Sequence, residues 1–586
     1  MKKPENKKTV KKNKKPVNKK VSTQTSSILI SWRYNLVVGF IVLALFVLVA
    51  RTAYIQVFEP DQLIQQADMR SVRVKAIATA RGIISDRNGE QLAVSVPVQA
   101  VWADPATIIK ANGLDELDRW YALANVLGLD QKGLVRKIEQ NKNKRFIYLQ
   151  RQVSPAMSKY VKELKLPGIG LKDESRRFYP AGEVSAHVVG VTGIDGHGLE
   201  GMERSFDDWL TGEAGKRTIR KDRFGRVVEN ISLKTQEPGK PLQLTIDQRL
   251  QAISYRAIKQ AVADFRATSG TVVLIDVKTG NVLAMVNAPS YNPNNRDQLQ
   301  SFRMRNRALT DSIEPGSTMK PFVILAGLDK GIIDDKTIID TGNGIMRVGG
   351  SRVRDSEAAG KADLTTILKK SSNVGIATIA LKMDVKEILA MYSAVGFGNV
   401  SGLRLPGEVT GIFPDRRRWS PFEEATLAFG YGISVTPLQL AHAYATLGNM
   451  GVNKPLNILK GGTPGRTFRA ADADAARKVI NMLEQVTHKG GTARSAKVPG
   501  YRVGAKTGTS RKAKAGGYSD QYVALTAGIA PISDPRLALV VVVNEPQGDK
   551  FYGGSVAGPV FSEIMKGALQ IMNVTPDATP ESEVGE

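Results

Sequence analysis

The sequence predicts a multidomain α+β chain with a single N-terminal transmembrane helix, an elongated α+β module and a larger α+β domain. Three observations predict it. An apolar run follows a lysine-rich leader, a Glu237-Pro238-Gly239-Lys240-Pro241 break divides the rest, and beyond that break strand-like runs open and close a segment whose middle reads as helices. A chain of 586 residues has room for about two to four domains with large cores.

Residues 1–33 carry ten lysines and Arg33 against one glutamate, interspersed with Pro and Asn. Such a leader cannot bury a core and is expected to be a disordered cytoplasmic tail. Leu36 to Ala50 is an unbroken apolar run with Gly39, and it continues to Val57 with Arg51 as the only charge. At about 1.5 Å per residue, residues 34–57 can cross a ~30 Å hydrocarbon core. Arg51, near the outer end, can snorkel. A basic leader before one span predicts cytoplasm-in, bulk-out topology. The rival is a cleaved signal peptide, but the apolar stretch runs past any Ala-x-Ala-like site, and Arg51 interrupts the one near Ala50 and Ala53. An uncleaved anchor is therefore expected. No nucleic-acid module accompanies the lysines, so attraction to the inner leaflet accounts for them.

The leader contributes ten of the net charge of +26, and the stretch after Ile571 has four acidic residues with no Lys or Arg. The strongly basic body suits work beside anionic headgroups and an acidic polymer. The chain has no cysteine, which excludes disulfides, thiolate metal sites and thiol nucleophiles.

Residues 58–235 form the elongated module. Val72-Arg73-Val74-Lys75-Ala76-Ile77 alternates as a half-exposed strand does. Asp115 to Leu127 and Lys132 to Gln140 read as helices, and Phe206, Trp209 and Leu210 form a helical face. The module carries little concentrated chemistry.

Residues 236–572 form the second domain. Leu242 to Ile246 and a hairpin of Val272–Ile275 with Val282–Met285 begin a sheet, and Leu250 to Phe265 is an amphipathic helix. Strands return at Val523–Ala530 and Leu537–Val543, so an antiparallel sheet is built from both ends of the domain around a helical cluster. Residues 573–586 read as a disordered tail.

Three motifs occur in order within this domain. Glu314-Pro315-Gly316 breaks the chain before Ser317, and Met319, Phe322, Val323 and Ala326 recur at helical spacing. Ser317 then lies at the first turn of a buried helix with Lys320 three residues on, on the same face. Burial and a neighbouring cation both lower a lysine pKa, so a neutral Lys320 can take the Ser317 proton, while the free N–H groups of that turn can stabilise an oxyanion. Alone, a Ser-x-x-Lys match arises about once or twice by chance in a long chain. Ser371-Ser372-Asn373 is a polar wedge between apolar helical segments. Ser371 can relay a proton and Asn373 can bond a substrate amide or the lysine, and a simple N-cap is the plain alternative. Lys506-Thr507-Gly508-Thr509 reads as a short strand. There Gly508 admits a substrate backbone, Lys506, Thr507 and Thr509 hold a terminal carboxylate, and the Thr509 N–H is a second oxyanion donor. Lys506 also supplies a field that keeps Lys320 neutral.

Two duplicates fail. Lys278-Thr279-Gly280 lies in a hairpin turn, Ser290-Tyr291-Asn292 lies in a Pro-flanked loop, and both precede Ser317. The four histidines, His187, His197, His442 and His488, lack metal-ligand spacing, so no metal and no cofactor is expected. His442 reads as a packed or capping residue. No Gly-x-x-x-x-Gly-Lys loop is present, Gly196 to Gly201 matches a dinucleotide pattern without a βαβ unit around it, and no Gly-x-Ser-x-Gly elbow surrounds a serine.

The ordered set resembles the penicillin-binding proteins and serine β-lactamases. Arg81-Gly82-Ile83-Ile84-Ser85-Asp86-Arg87-Asn88-Gly89, Gly198-Leu199-Glu200-Gly201-Met202-Glu203, Pro289-Ser290-Tyr291-Asn292-Pro293-Asn294 and Gly430-Tyr431-Gly432-Ile433-Ser434-Val435-Thr436-Pro437-Leu438-Gln439 are similar to class B penicillin-binding proteins. Among these the overall pattern looks like the septal D,D-transpeptidase type. The likeness runs from about residue 70 to about residue 565. It implies a dimerisation-type pedestal and a penicillin-binding/β-lactamase-like transpeptidase domain, with a five-stranded antiparallel sheet flanked by helices. It implies catalytic roles for Ser317, Lys320, Ser371, Asn373 and Lys506, and substrate-binding roles for Thr507, Gly508 and Thr509. The implied partners are peptidoglycan stem peptides, β-lactams, the membrane, and division-complex proteins including a membrane glycan polymerase. An elongation-specific class B enzyme, a β-lactamase or D,D-carboxypeptidase passing the acyl group to water, and a non-catalytic β-lactam-binding scaffold are the alternatives. The pedestal and anchor argue against a β-lactamase, and the intact motifs argue against a scaffold.

Overall fold

The computed structural model describes residues 31–57, 60–77, 79–222, 226–462, 465–514 and 516–579. The expected tails at 1–30 and 580–586 lie outside the described residues. The chain divides into two compact units, one of residues 1–75 with 217–233 and a second of 76–216 with 234–586.

The first unit carries α1, Ser31–Val57, an apolar helix with no buried residue in its most apolar 18-residue window. It is long enough to cross a membrane. Helical geometry already holds at Trp32 and Arg33, which the sequence places in the leader. A second helix, Pro60–Ser71, follows. Val72–Ile77, Gly215–Lys221 and Val227–Lys234 pair into a three-stranded sheet.

The second unit begins with the pedestal fold. The long strand Gln91–Ala103 pairs with Ile147–Val153 and Ile169–Phe178, and helices Leu117–Leu127, Gln131–Gln140 and Pro155–Glu163 pack a core around Trp120, Leu134 and Val161. The Glu203 carboxylate, fully buried, accepts from both Arg81 and Arg177 at 2.5 and 2.6 Å. Buried charge persists only when paired in this way.

The Glu237–Pro241 break is not a free linker. Gly239 N donates to Ala80 O and Lys240 N to Trp209 O, and Leu242–Gln243 then pairs in parallel with Ile84–Ser85. Of the expected strand at Leu242–Ile246, Leu242–Gln243 therefore joins the pedestal sheet instead of opening the sheet of the larger domain. Period-2 patterning identifies a strand but cannot say which sheet takes it.

The larger domain opens with α2, Gln248–Asp264, then the hairpin of β1, Ser269–Asp276, and β2, Val282–Ala288. The helical middle holds α3, Lys320–Asp329, α4, Asn373–Ala380, and α5, Pro437–Gly448. The chain then returns through β3, Gly504–Lys514, β4, Gly517–Ala530, β5, Leu537–Asn544, and α6, Gly553–Ile571. The sheet order is β2-β1-β5-β4-β3 with every pair antiparallel. Strands β1, β2 and β5 are almost wholly buried, as expected of a sheet packed by helices on both faces. α2 and α6 pack against this sheet and against each other, and α5 packs against β5 and β1. β3 remains an edge strand.

Residues 574–579 have no regular secondary structure, yet they are tied down. Tyr501 Oη donates to Val574 O at 2.7 Å and Arg502 N to Asp577 Oδ1 at 2.7 Å. The expected tail from 573 is thus packed as far as these contacts reach.

Candidate active site

The Pro315-Gly316 break ends in a 3₁₀ turn, Gly316–Met319, that runs into α3. The sequence suggests one apolar face on α3. The structure buries it all round, Phe322, Val323, Ile324, Leu325 and Ala326 being 0 % exposed. At about 1.5–3 kcal/mol for each large apolar side chain, this burial holds the helix rigidly in the domain centre. Phe322 sits edge-to-face on Phe397 and Tyr444, and Tyr444 Oη donates to Thr318 O at 3.0 Å. The turn is clamped from the other side by Gly430, where a Cβ would lie 2.3 Å from Gly316 O. Ser317 is half-buried, and among the described residues its hydroxyl makes no hydrogen bond.

Lys320 is fully buried on α3. Its Nζ lies 2.5 Å from Ser371 O, 2.7 Å from Asn373 Oδ1 and 3.1 Å from Ser371 Oγ. Lys506 on β3 is also fully buried, with Nζ 2.9 Å from the same Ser371 Oγ. Burial first, and the Lys506 charge second, hold the Lys320 amine well below its ordinary pKa, with Asp355 opposing. Burial brings Lys506 down to about 7. The network accommodates a neutral Lys320. A neutral Lys320 gives its two N–H bonds to the Ser371 and Asn373 carbonyl oxygens and keeps its lone pair for a hydroxyl proton. A charged Lys506 donates to Ser371 Oγ.

Ser371 adopts a left-handed backbone with φ of 59° in the corner between Leu364–Lys369 and α4. That conformation is costly for a non-glycine residue, and here it turns both the carbonyl and the hydroxyl of Ser371 toward Lys320. The N-cap alternative for this motif falls to Ser372, whose Oγ accepts from Gly375 N at 2.8 Å. Asn373 spends both ends of its amide within the protein, Oδ1 on Lys320 and Nδ2 on Arg354 O at 2.8 Å.

Asp355 is the residue that sequence reasoning misses. It follows the hairpin Ile345–Val348/Ser351–Arg354 and accepts from Asn373 N at 2.5 Å, Ser372 Oγ at 2.6 Å and Val374 N at 2.9 Å. A carboxylate at a helix N-terminus is stabilised by the helix dipole, and in return it orients the whole motif. No motif marks it, because its position is set by a hairpin packing on α4 through Val353, Val374 and Ala377.

On β3, Thr509 Oγ1 accepts from Gly553 N at 3.0 Å, while Ser510 Oγ donates to Glu314 O at 2.8 Å, so alternate residues address opposite neighbours. Thr507 is buried beside α6, where its Cγ2 lies 3.7 Å from the position a Cβ on Gly554 would take. Gly508 is required by the protein's own packing. A Cβ there would stand 2.9 Å from both Leu525 Cγ and Pro315 O, so the space a side chain would fill is taken by Leu525 and the Ser317 turn.

The duplicates sit elsewhere. Lys278–Gly280 forms the β1–β2 turn, and Tyr291 is buried with its hydroxyl on Ala186 O. His442 is packed, 2.7 Å from Lys454 O, with burial lowering its pKa.

Residues 76–244 match the penicillin-binding protein dimerisation domain family and residues 270–566 the penicillin-binding protein transpeptidase domain family. The chain is 48% identical to the peptidoglycan D,D-transpeptidase FtsI of Escherichia coli K12, covering 95% of each chain. Among solved structures it resembles the transpeptidase domain of Burkholderia pseudomallei penicillin-binding protein 3, with 38% identity, a TM-score of 0.53, and coverage of 57% of this chain and 98% of that one. It also resembles a peptidoglycan synthetase from Bifidobacterium adolescentis, with 27% identity, a TM-score of 0.68, and coverage of 87% and 98%. With the serine, the paired lysines and both domains in place, this chain belongs to the class B penicillin-binding proteins, of the FtsI type.

Proposed function

We propose that this chain cross-links peptidoglycan stem peptides during septal wall synthesis as a serine D,D-transpeptidase, with Ser317 as nucleophile. The observation that carries the reading is the buried Lys320–Ser371–Lys506 network beside an unengaged serine hydroxyl. Lys320 takes the Ser317 proton as Oγ attacks the carbonyl of the penultimate D-alanine. The C–N bond breaks and the proton passes by Ser371 to the departing D-alanine amine, leaving an ester on Ser317. An amine from a second stem then displaces Ser317. Asn373 holds Lys320 in place. Lys506, Thr507 and Thr509 bind the substrate carboxylate, and the N–H groups of Ser317 and Thr509 hold the oxyanion.

β-Lactams acylate the same serine as substrate mimics. The apolar helix anchors the enzyme in the inner membrane, and the basic leader sets the N-terminus in the cytoplasm and the catalytic domain in the periplasm. Strand polymerisation comes from a membrane glycan polymerase of the division complex, since neither matched domain supplies it. Labelled penicillin is expected to form a stable adduct with the purified chain, and Ser317→Ala to abolish it. Persistent labelling of that variant overturns the assignment.

A further inference from the structure

We propose that Glu314 receives the amine of the acceptor stem and takes a proton from it. This deepens the transpeptidase reading and rests on it.

A cavity of about 310 Å³ opens between the turn that precedes Ser317 and the end of β3, lined among others by Glu314, Ile412, Gly432, Ser434, Ser510 and Arg511. Glu314 stands three residues before the nucleophile, and its carbonyl is fastened to β3 by the Ser510 hydroxyl at 2.8 Å. Its carboxylate is poorly satisfied. Oε1 accepts two long bonds, from Tyr518 Oη at 3.2 Å and Gly432 N at 3.3 Å. Oε2 is buried with no partner. Among the described residues no lysine or arginine pairs with Glu314. The nearby Arg511 guanidinium lies over the Tyr522 ring, and Lys512 is paired with Glu545.

A buried carboxyl oxygen with no protein partner is costly, and a group that brings a donor to it relieves that cost. An ammonium supplies what the site lacks, a cation and N–H donors. The reaction needs such a site. The acyl-enzyme is resolved by an amine that arrives as an ammonium at neutral pH and has no lone pair until it loses a proton. Lys320 is held within the Ser371 and Asn373 network and serves Ser317. Burial raises the Glu314 pKa, which moves it toward accepting a proton.

The step balances as follows. The ammonium gives one proton to Glu314. The freed lone pair forms the C–N bond to the acyl carbon as the bond from that carbon to Ser317 Oγ breaks. The second departing amine proton restores the Ser317 hydroxyl by way of Lys320, and Glu314 returns its proton to water as the amide leaves.

The test partitions one acyl-enzyme between two nucleophiles. The full chain in detergent is acylated by an acyl-D-alanyl thioester with D-alanine as the acceptor probe, and amide and acid products are measured together. Their ratio is set after acylation, so it does not depend on how much variant is folded or how fast it acylates. Glu314→Gln is expected to lower the amide-to-acid ratio at least tenfold at pH 7.5. The loss should shrink as the pH approaches the amine's own pKa, and Glu314→Asp should recover part of the ratio. A Glu314→Gln ratio within twofold of the parent's overturns the proposal. If penicillin does not label the parent chain at Ser317, the transpeptidase reading itself fails, which is a different result.

Discussion

Asp355 offers the sharpest test of how the site is held. Its carboxylate accepts from Ser372 Oγ, Asn373 N and Val374 N at 2.5–2.9 Å. Hydrogen bonds to a charged acceptor contribute about 1.5–3 kcal/mol each, and loss of a helix cap costs about 1 kcal/mol. Asp355 is half-exposed, so water replaces part of what Asp355→Ala removes, and a net loss of about 3 kcal/mol is expected. Asp355→Asn keeps an acceptor for the two N–H groups and loses mainly the Ser372 bond, about 1 kcal/mol. The catalytic consequence follows from geometry. Asn373 carries an acceptor of Lys320, so a shift at the start of α4 moves the base, and a displacement of about 1 Å costs on the order of a hundredfold in rate. The charge has its own signature. Asp355 raises the Lys320 pKa, so its removal lowers that pKa further and the acidic limb of the acylation profile moves to lower pH. Thermal melting and the second-order rate of penicillin acylation across pH 5–9 would show both effects. An Asp355→Ala protein with unchanged melting and an unchanged acylation profile refutes the reasoning.

Gly508→Ala is expected to lower acylation at least tenfold and stability by about 1–3 kcal/mol, because the new methyl group must push Leu525 or the carbonyl of the Ser317 turn. Rates and melting within error of the parent would count against that packing argument. His187 is buried against Arg303 O, and burial lowers its pKa to about 4. The unfolded chain therefore binds a proton that the folded chain refuses between about pH 6.5 and 4, so stability is full above that window and falls as pH descends through it. A denaturant series on His187→Gln should show a shallower acid slope, by about 3 kcal/mol across the window, and an identical slope would exclude His187 as the cause.

The candidate trio was legible in the sequence because its parts are local. Ser317 and Lys320 are one turn apart, and a Pro-Gly break followed by apolar helical spacing is enough to place them. The β1–β2 hairpin, the return strands β4 and β5, and the apolar span were legible for the same reason, since periodicity and breakers act over a few residues. Much of the rest was not. Leu242–Gln243 carries a strand pattern, but its partner is Ile84–Ser85, and no local signal names a partner across so long a separation. The Pro-Gly break at 237–241 resembled a linker because breaker residues mark turns, whether packed or free.

By itself, then, the sequence pointed to the kind of chemistry, acyl transfer through a serine with a lysine as candidate base, and to the order of apolar span, pedestal and transpeptidase domain. The tertiary structure decided whether that lysine can be a base. A lysine three residues from a serine is an ordinary cation until folding strips it of water and sets Lys506 beside it, because desolvation and a neighbouring charge are properties of the packed interior. It also decided that Gly508 packs against Leu525 and the Ser317 turn, that Asp355 holds the serine–asparagine motif, and that Glu314, three residues before Ser317, keeps an unsatisfied oxygen. These depend on segments far apart in the chain meeting at one point, and only the fold brings them there.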